Sequence, residues 1–206
     1  MHARPRRKST LREYAEAILI AVVLTLVVRA FVVQAFRIPT GSMMDTLLVG
    51  DFLFVNKFVY GAKVPFTDFR LPGIRPPQPG DIVVFRYPGD PKRDFIKRCV
   101  AVGGQTVGLK DKIVYVDGVK VEEPYAIHTD ATAYPAELSP RDNMPAVYIP
   151  EGYIFVMGDN RDNSHDSRFW GPLDLDLVKG KAMILYWSWN SERHFPRFER
   201  LFHIIR

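Results

Sequence analysis

The sequence predicts a mainly β domain, built on an antiparallel or mixed sheet and preceded by one N-terminal apolar helix. Three observations carry this expectation. A 20-residue window, Ala17 to Phe36, contains only Thr25, Arg29 and Gln34 as polar residues. Beyond it, short runs rich in β-branched and aromatic residues recur between Gly, Pro and Asp. No alternation of strands with long helical patterns appears, which argues against a parallel sheet. Sixteen prolines and 14 glycines in 206 residues favour many turns over long helices.

The apolar window comes first in the chain. As a helix it would rise roughly 30 Å, enough to cross a bilayer core. Arg29 lies past its middle, where a charge costs up to about 3 kcal/mol at the bilayer centre and less if it snorkels outward. Residues 1–12 hold Arg4, Arg6, Arg7, Lys8 and Arg12 and no acid. By the positive-inside rule this places the N-terminus in the cytoplasm and the body, from about Arg37, on the far side. Two other readings stay open. The charge-free run Ala17–Val28 has the length of a signal-sequence core, with small-residue sites at Val28-Arg-Ala30 and Val33-Gln-Ala35. A buried globular helix is disfavoured because no amphipathic stripe appears.

The same basic tag explains the charge. The chain is net +5, but residues 13–206 hold 23 basic and 23 acidic groups. The excess is an orientation signal rather than the footprint of a nucleic-acid partner. The body is too apolar, at 47% hydrophobic overall, to be disordered. A single cysteine, Cys99, excludes an intrachain disulfide framework and a multi-cysteine zinc site. The five histidines show no metal-pair spacing, so neither metal nor cofactor is expected.

Strands are expected at Phe52–Phe58, Ile82–Phe85, Phe95–Val102, Ile113–Val116, Tyr153–Met157 and Met183–Trp189. Val116-Asp-Gly-Val119 signals a two-residue hairpin, since Asp-Gly suits a type I′ turn. Residues 61–80 carry five prolines and read as an irregular loop. Residues 122–150 carry five more and read as an inserted cap or small subdomain.

Three segments carry chemistry. In Arg37-Ile-Pro-Thr-Gly-Ser-Met43, Pro39 and Gly41 fix a bend that leaves Ser42 on a turn just after the apolar span; alone, it also reads as a polar loop or helix cap. In Phe95-Ile-Lys-Arg-Cys-Val100, strand alternation puts Phe95, Lys97 and Cys99 on one face. A lysine amid apolar neighbours loses ammonium stability on burial and becomes a base near neutral pH, whereas an edge lysine in water does not. Cys99 reads as a small buried hydrophobe. The third segment, Gly158-Asp-Asn-Arg-Asp-Asn-Ser-His-Asp-Ser-Arg168, follows a hydrophobic run as a polar loop. As a calcium loop it fails, with Ser167 in the glycine place and Leu173 in that of the closing glutamate. A triad of Ser42, His165 and Asp166 meets the difficulty that adjacent residues do not easily adopt base–orienter geometry.

Together these segments resemble bacterial signal peptidase I, the membrane-bound Ser–Lys serine peptidase family, from the span to about Trp189. The family's Pro-[Ser/Thr]-Gly-Ser-Met, Gly-Asp-x-Val-Val-Phe, lysine-strand and Gly-Asp-Asn-Arg-Asp-Asn-Ser blocks fall here at Pro39–Met43, Gly80–Phe85, Phe95–Val100 and Gly158–Arg168, in family order. One departure is Asp45, where the family usually carries proline. The resemblance implies that Ser42 is the nucleophile and Lys97 the general base. It implies an oxyanion hole from the Thr40 hydroxyl and Ser42 N–H, and a Ser164 that orients Lys97. Asp166 and Arg168 would pair to hold the loop, with Arg98 joining them. The implied substrates are secretory preproteins with small residues at −1 and −3, as in Ala-x-Ala, met by pockets from Phe36, Ile38, Pro39, Met43, Phe95 and Ile96.

The implied organisation is a cytoplasmic basic tail (1–14), a membrane helix (15–36) and an extracytoplasmic catalytic domain (37–206) with the 122–150 insertion. The partners are then preproteins and the lipid bilayer, with Phe66 and Phe69 in the stretch 64–79 expected at its surface, and no nucleic acid. Two alternatives differ in kind: a self-cleaving Ser–Lys protease of the same superfamily, which would need a DNA-binding module, and a non-catalytic membrane-anchored β domain.

Overall fold

The computed structural model describes residues 10–64, 67 and 69–205; Arg4, Arg6, Arg7, Lys8 and Phe66 lie outside them. Helix α1 spans Thr10–Phe31 and none of its residues is buried. It is long and apolar enough to cross a membrane. Glu13 in its first turn and Arg29 in its last both complement the helix dipole.

The helix stops five residues before the end of the apolar window. Val33–Arg37 instead forms strand β1, antiparallel to β2 (Asp51–Asn56), with Val33 opposite Asn56 and Arg37 opposite Phe52. The β-branched pair Val32-Val33 favours the extended backbone, and the free edge of β2 supplies a ladder. Lys57, just past β2, donates from Nζ to the Arg29 carbonyl at 3.0 Å, closing the helix end onto the domain.

The body is all antiparallel in its strand pairs. The remaining strands are β3 (Ile82–Tyr87), β4 (Asp90–Val102), β5 (Thr106–Lys110), β6 (Ile113–Val116), β7 (Val119–Lys120), β8 (Met144–Tyr148), β9 (Tyr153–Met157), β10 (Leu173–Asp174), β11 (Val178–Asn190) and β12 (Phe195–Pro196). The main sheet runs β1-β2-β11-β3-β4-β9-β10, with β12 paired to the end of β11. A four-stranded sheet runs β7-β6-β5-β8. Asp117 (φ 51°) and Gly118 (φ 78°) make the expected turn between β6 and β7.

The proline-rich stretch 122–150 is only partly irregular: its end is β8, an edge strand of the smaller sheet. Pro145 is tolerated there because an edge needs fewer ladder N–H groups, and the β5–β8 pairing shifts register beside it. β5 escaped the sequence pattern because Gly108 interrupts its apolar alternation.

Burial follows the two sheets. Ile38, Met43 and Leu47 pack on Leu53, Val55, Ile82 and Val84 over one face of the main sheet. Val83, Phe85, Cys99, Ile154 and Val156 pack on its other face, and Cys99 is fully buried. Val107, Leu109 and Val114 of the smaller sheet pack against Ala101 and Phe155.

Candidate active site

The segment between β1 and β2 is held from below. Met43 and Leu47 are fully buried, and Leu47 N–H donates to the Met43 carbonyl at 2.7 Å. Two apolar anchors on one turn leave Ser42 fixed between them and the polar loop. Met43, expected to line a substrate pocket, is therefore core: its side chain secures the turn from inside. The Met44–Asp45 peptide bond is cis.

Strand β4 brings Lys97 to this turn. Val83 opposite it and Phe95 two residues earlier supply an apolar wall, so Lys97 is only 3% exposed. Its Nζ lies 2.5 Å from Ser42 Oγ, and 5.5 Å from the Phe95 ring centre. Burial pulls the ammonium down to about 8; Asp166 and Asp159 oppose this and Arg168 adds to it. Close to pH 8 about half of Lys97 is then neutral and able to take a proton from the serine.

The polar loop after β9 holds the Ser42 turn by backbone and side chain. Asn160 N–H donates to the Ser42 carbonyl at 3.1 Å, and its Nδ2 to the Gly41 carbonyl at 3.0 Å. Gly158 allows the close approach. A Cβ there would lie 2.4 Å from the Ser42 carbonyl oxygen and 2.3 Å from Ser164 Oγ. The Ser42 N–H itself donates to no group among the described residues, nor does the exposed Thr40 hydroxyl.

Asp166 and Arg168 pair as expected, through Nε to Oδ1 and Nη2 to Oδ2, both at 2.9 Å. Asp166 also accepts from the Gly158 N–H at 3.0 Å. Burial works to raise its carboxyl, and the Arg168 guanidinium outweighs it, so the group stays below the usual range. Arg168 reaches on to the carbonyls of Arg141 and Arg161, both at 2.6 Å, tying the loop shut.

Arg98 does not join this pair. It pairs with Asp159, through Nε at 2.9 Å and Nη2 at 2.7 Å, with Tyr125 stacked over its guanidinium at 3.8 Å. Strand alternation sends Arg98 to the face opposite Lys97, and Asp159 waits there. Thr46 donates to the same Asp159 carboxylate at 2.6 Å, which links the far end of the serine segment to β4. Ser164 is buried; its Oγ makes no hydrogen bond with Lys97 and stands beside the Asp166 carboxylate, which it helps to hold in the charged form. His165 faces outward, 3.3 Å from the Tyr87 hydroxyl and beside the Phe169 ring, so it takes no part at Ser42.

A small hollow beside the dyad is lined by Phe36, Ile38, Pro39, Val84, Phe95 and Ile96, with Arg37 and Asp94 at its edge. Five of the six expected pocket residues thus meet. Asp159 and Asn160 were not singled out in the sequence as support for the serine turn. The only signal was their place directly after a buried glycine at the end of an apolar strand.

Residues 11–187 match the family described as Signal peptidase, peptidase S26. A signal peptidase I of Pseudomonas aeruginosa is 38% identical, over 95% of this chain and 80% of its own. A probable signal peptidase I-1 of Synechocystis is 38% identical, over 85% of this chain and 82% of its own. A signal peptidase I of Bacillus licheniformis is 36% identical, over 91% of this chain and 94% of its own. The match covers the helix, the serine turn, the lysine strand and the polar loop together, and this chain belongs to the signal peptidase S26 family.

Proposed function

We propose that this membrane-anchored serine peptidase cleaves signal peptides from secreted preproteins after small residues, using Ser42 and Lys97 as a dyad. The observation that carries the reading is the 2.5 Å contact between Ser42 Oγ and a buried Lys97 whose pKa is drawn down to about 8. Neutral Lys97 takes the Ser42 proton as Oγ attacks the scissile carbonyl. The Ser42 N–H and Thr40 hydroxyl, both unengaged, receive the developing oxyanion, each worth roughly 3 kcal/mol. Lys97 then gives its proton to the leaving amine, and the same lysine activates the water that hydrolyses the acyl-enzyme. Ser164, buried beside Asp166, accepts from Lys97 and orients its amine. Asp166–Arg168 and Arg98–Asp159 position the loop and touch no reacting atom.

Substrate enters beside the hollow of Phe36, Ile38, Pro39, Phe95 and Ile96, whose close walls admit small side chains at −1 and −3. Residues 15–31 of α1 cross the bacterial cytoplasmic membrane, with the basic tail in the cytoplasm and the domain from residue 37 outside. The basic residues ahead of the helix support that orientation.

The test is processing of a preprotein with an Ala-x-Ala site in detergent. Ser42→Ala and Lys97→Ala each abolish cleavage, while His165→Ala leaves it intact. Cleavage that survives Lys97→Ala sinks the dyad. Protease digestion of intact spheroplasts checks the topology: the domain is degraded from outside if the orientation is right.

A further inference from the structure

A cleft of about 270 Å³ opens where α1 meets the β domain, with neither Ser42 nor Lys97 in its lining. Lys57, Lys63, Arg70, Arg86 and Lys179 line it, together with Gln34, and Asp176 is the one acid among the described lining residues. Arg29 on the last turn of α1 adds a further cation, and Asp94 is spent on Lys179 at 2.7 Å. Leaving Lys63 aside, five cations face two carboxylates among the described residues, in a body whose total charge is zero. Arg70 donates to the carbonyls of Gly61, Leu175 and Val178, and Lys57 to that of Arg29; dipoles orient these groups without cancelling their charge. Burial, then Lys179, then Arg29 lower the Lys57 pKa, with Asp94 opposing, so the cations act on each other.

The position of the cleft selects among anions. It adjoins Ala30, at the end of the helix that is long enough to cross a bilayer, and so lies at headgroup depth. Phe58 and Phe69, each next in sequence to a lining cation, are exposed aromatics of the kind that sit at a membrane interface. Arginine and lysine on an interfacial wall suit a phosphate oxygen, with aromatic rings beside the acyl chains.

We propose that this cleft binds the phosphate headgroup of an anionic phospholipid, from the leaflet into which the C-terminal end of α1 emerges. The proposal rests on α1 spanning the bilayer. It gives the anchored domain a fixed tilt on the membrane, set by one lipid, and so a fixed approach of Ser42 to a membrane-inserted substrate.

The experiment is native mass spectrometry of the full chain, released from micelles containing phosphatidylglycerol and phosphatidylcholine. One phosphatidylglycerol is expected to stay bound under activation that strips phosphatidylcholine. Lys57→Gln combined with Arg86→Gln should weaken retention about thirtyfold, the change that corresponds to about 2 kcal/mol for two interfacial cations. Lys120→Gln, an exposed cation elsewhere, should not. An unchanged thermal midpoint in the double variant shows that it folds; if it does not fold, Arg86→Gln alone, at an exposed position, must still lower retention. Equal retention of both lipids, or full retention in the folded variant, overturns the proposal. Displacement by inorganic phosphate overturns the lipid source and leaves a soluble phosphate site. The measurement uses no turnover, so a chain that holds the lipid but cleaves no preprotein refutes the peptidase reading alone.

Discussion

The Arg98 guanidinium grips both carboxylate oxygens of Asp159, at 2.9 and 2.7 Å, one residue along β4 from Lys97. Both side chains are almost wholly excluded from water. The pair fastens the start of the polar loop to the lysine strand, and Thr46 extends the clasp to the serine segment. Removing one partner strands a buried charge, which typically costs 3–5 kcal/mol. Asp159→Ala is expected to lower stability by about that amount and to reduce cleavage, because Asn160 then no longer fixes the Ser42 turn. Urea unfolding gives the first quantity. Adding Arg98→Met to Asp159→Ala should recover much of the stability; a double variant as unstable as the single one would refute the buried-charge account.

The buried Lys97 supplies activity at a cost in stability. Its folded pKa, about 8, lies below the ordinary lysine value of 10.5, so the native state binds fewer protons between these values. Stability should therefore rise as pH rises from about 8 to 10.5, and the full burial penalty is present below 8. Activity, which needs the neutral amine, should rise through an apparent pKa near 8. Lys97→Met removes the buried charge and keeps the volume. At pH 7 it is expected to be inactive yet more stable than the parent, by up to about 3 kcal/mol on the scale of that lowering. A destabilised, inactive Lys97→Met would mean that the ammonium is held by compensating partners rather than tolerated for its chemistry.

Gly158 is the narrowest point of the site. Any Cβ there meets the Ser42 carbonyl oxygen and Ser164 Oγ at distances no relaxed contact adopts. The backbone oxygen cannot rotate away, so the turn must move. Gly158→Ala should cost 1–3 kcal/mol of stability, the usual range for overpacking. It should lower kcat far more than it raises KM, since the displacement falls on the nucleophile. An unchanged kcat in a folded Gly158→Ala would refute this close contact.

The residues proposed to do chemistry were legible because each needs a rare local context: a serine on a Pro-Gly bend, a lysine inside an apolar strand, a polar run straight after one. Their supports were not. Arg98 was expected to join Asp166 and Arg168; alternation within β4 puts it on the face away from Lys97, where its partner depends on where β9 pairs. β1 was hidden because Val33 to Phe36 continues an apolar window; composition does not separate a membrane helix from a strand when the pairing edge lies some 20 residues downstream. β8 was hidden by Pro145, which reads as a breaker until the strand is known to be an edge. Met43 looked like a pocket residue because it follows the nucleophile, yet a turn that holds a serine outward needs its neighbour inward.

The hollow beside the dyad yields the last expectation. Ile96 adjoins Lys97 on β4, lines that hollow, and packs on the cluster of Ile38, Met43 and Val84. On the proposed function it is both a wall for the substrate and part of the floor under Ser42. Ile96→Ala opens the wall. Preproteins with Leu at −3, which the parent should refuse, are then expected to be cleaved, while the Ala-x-Ala preprotein loses some rate because its side chains fit less closely. Each methylene in such a pocket is worth about 1–3 kcal/mol, so the preference for alanine over leucine should shrink by one to two orders of magnitude. Ile96→Val, which removes a single methylene, should shrink it by less and leave the floor nearly intact. If both variants lose rate in parallel on the two preproteins, Ile96 supports the turn and does not select the substrate.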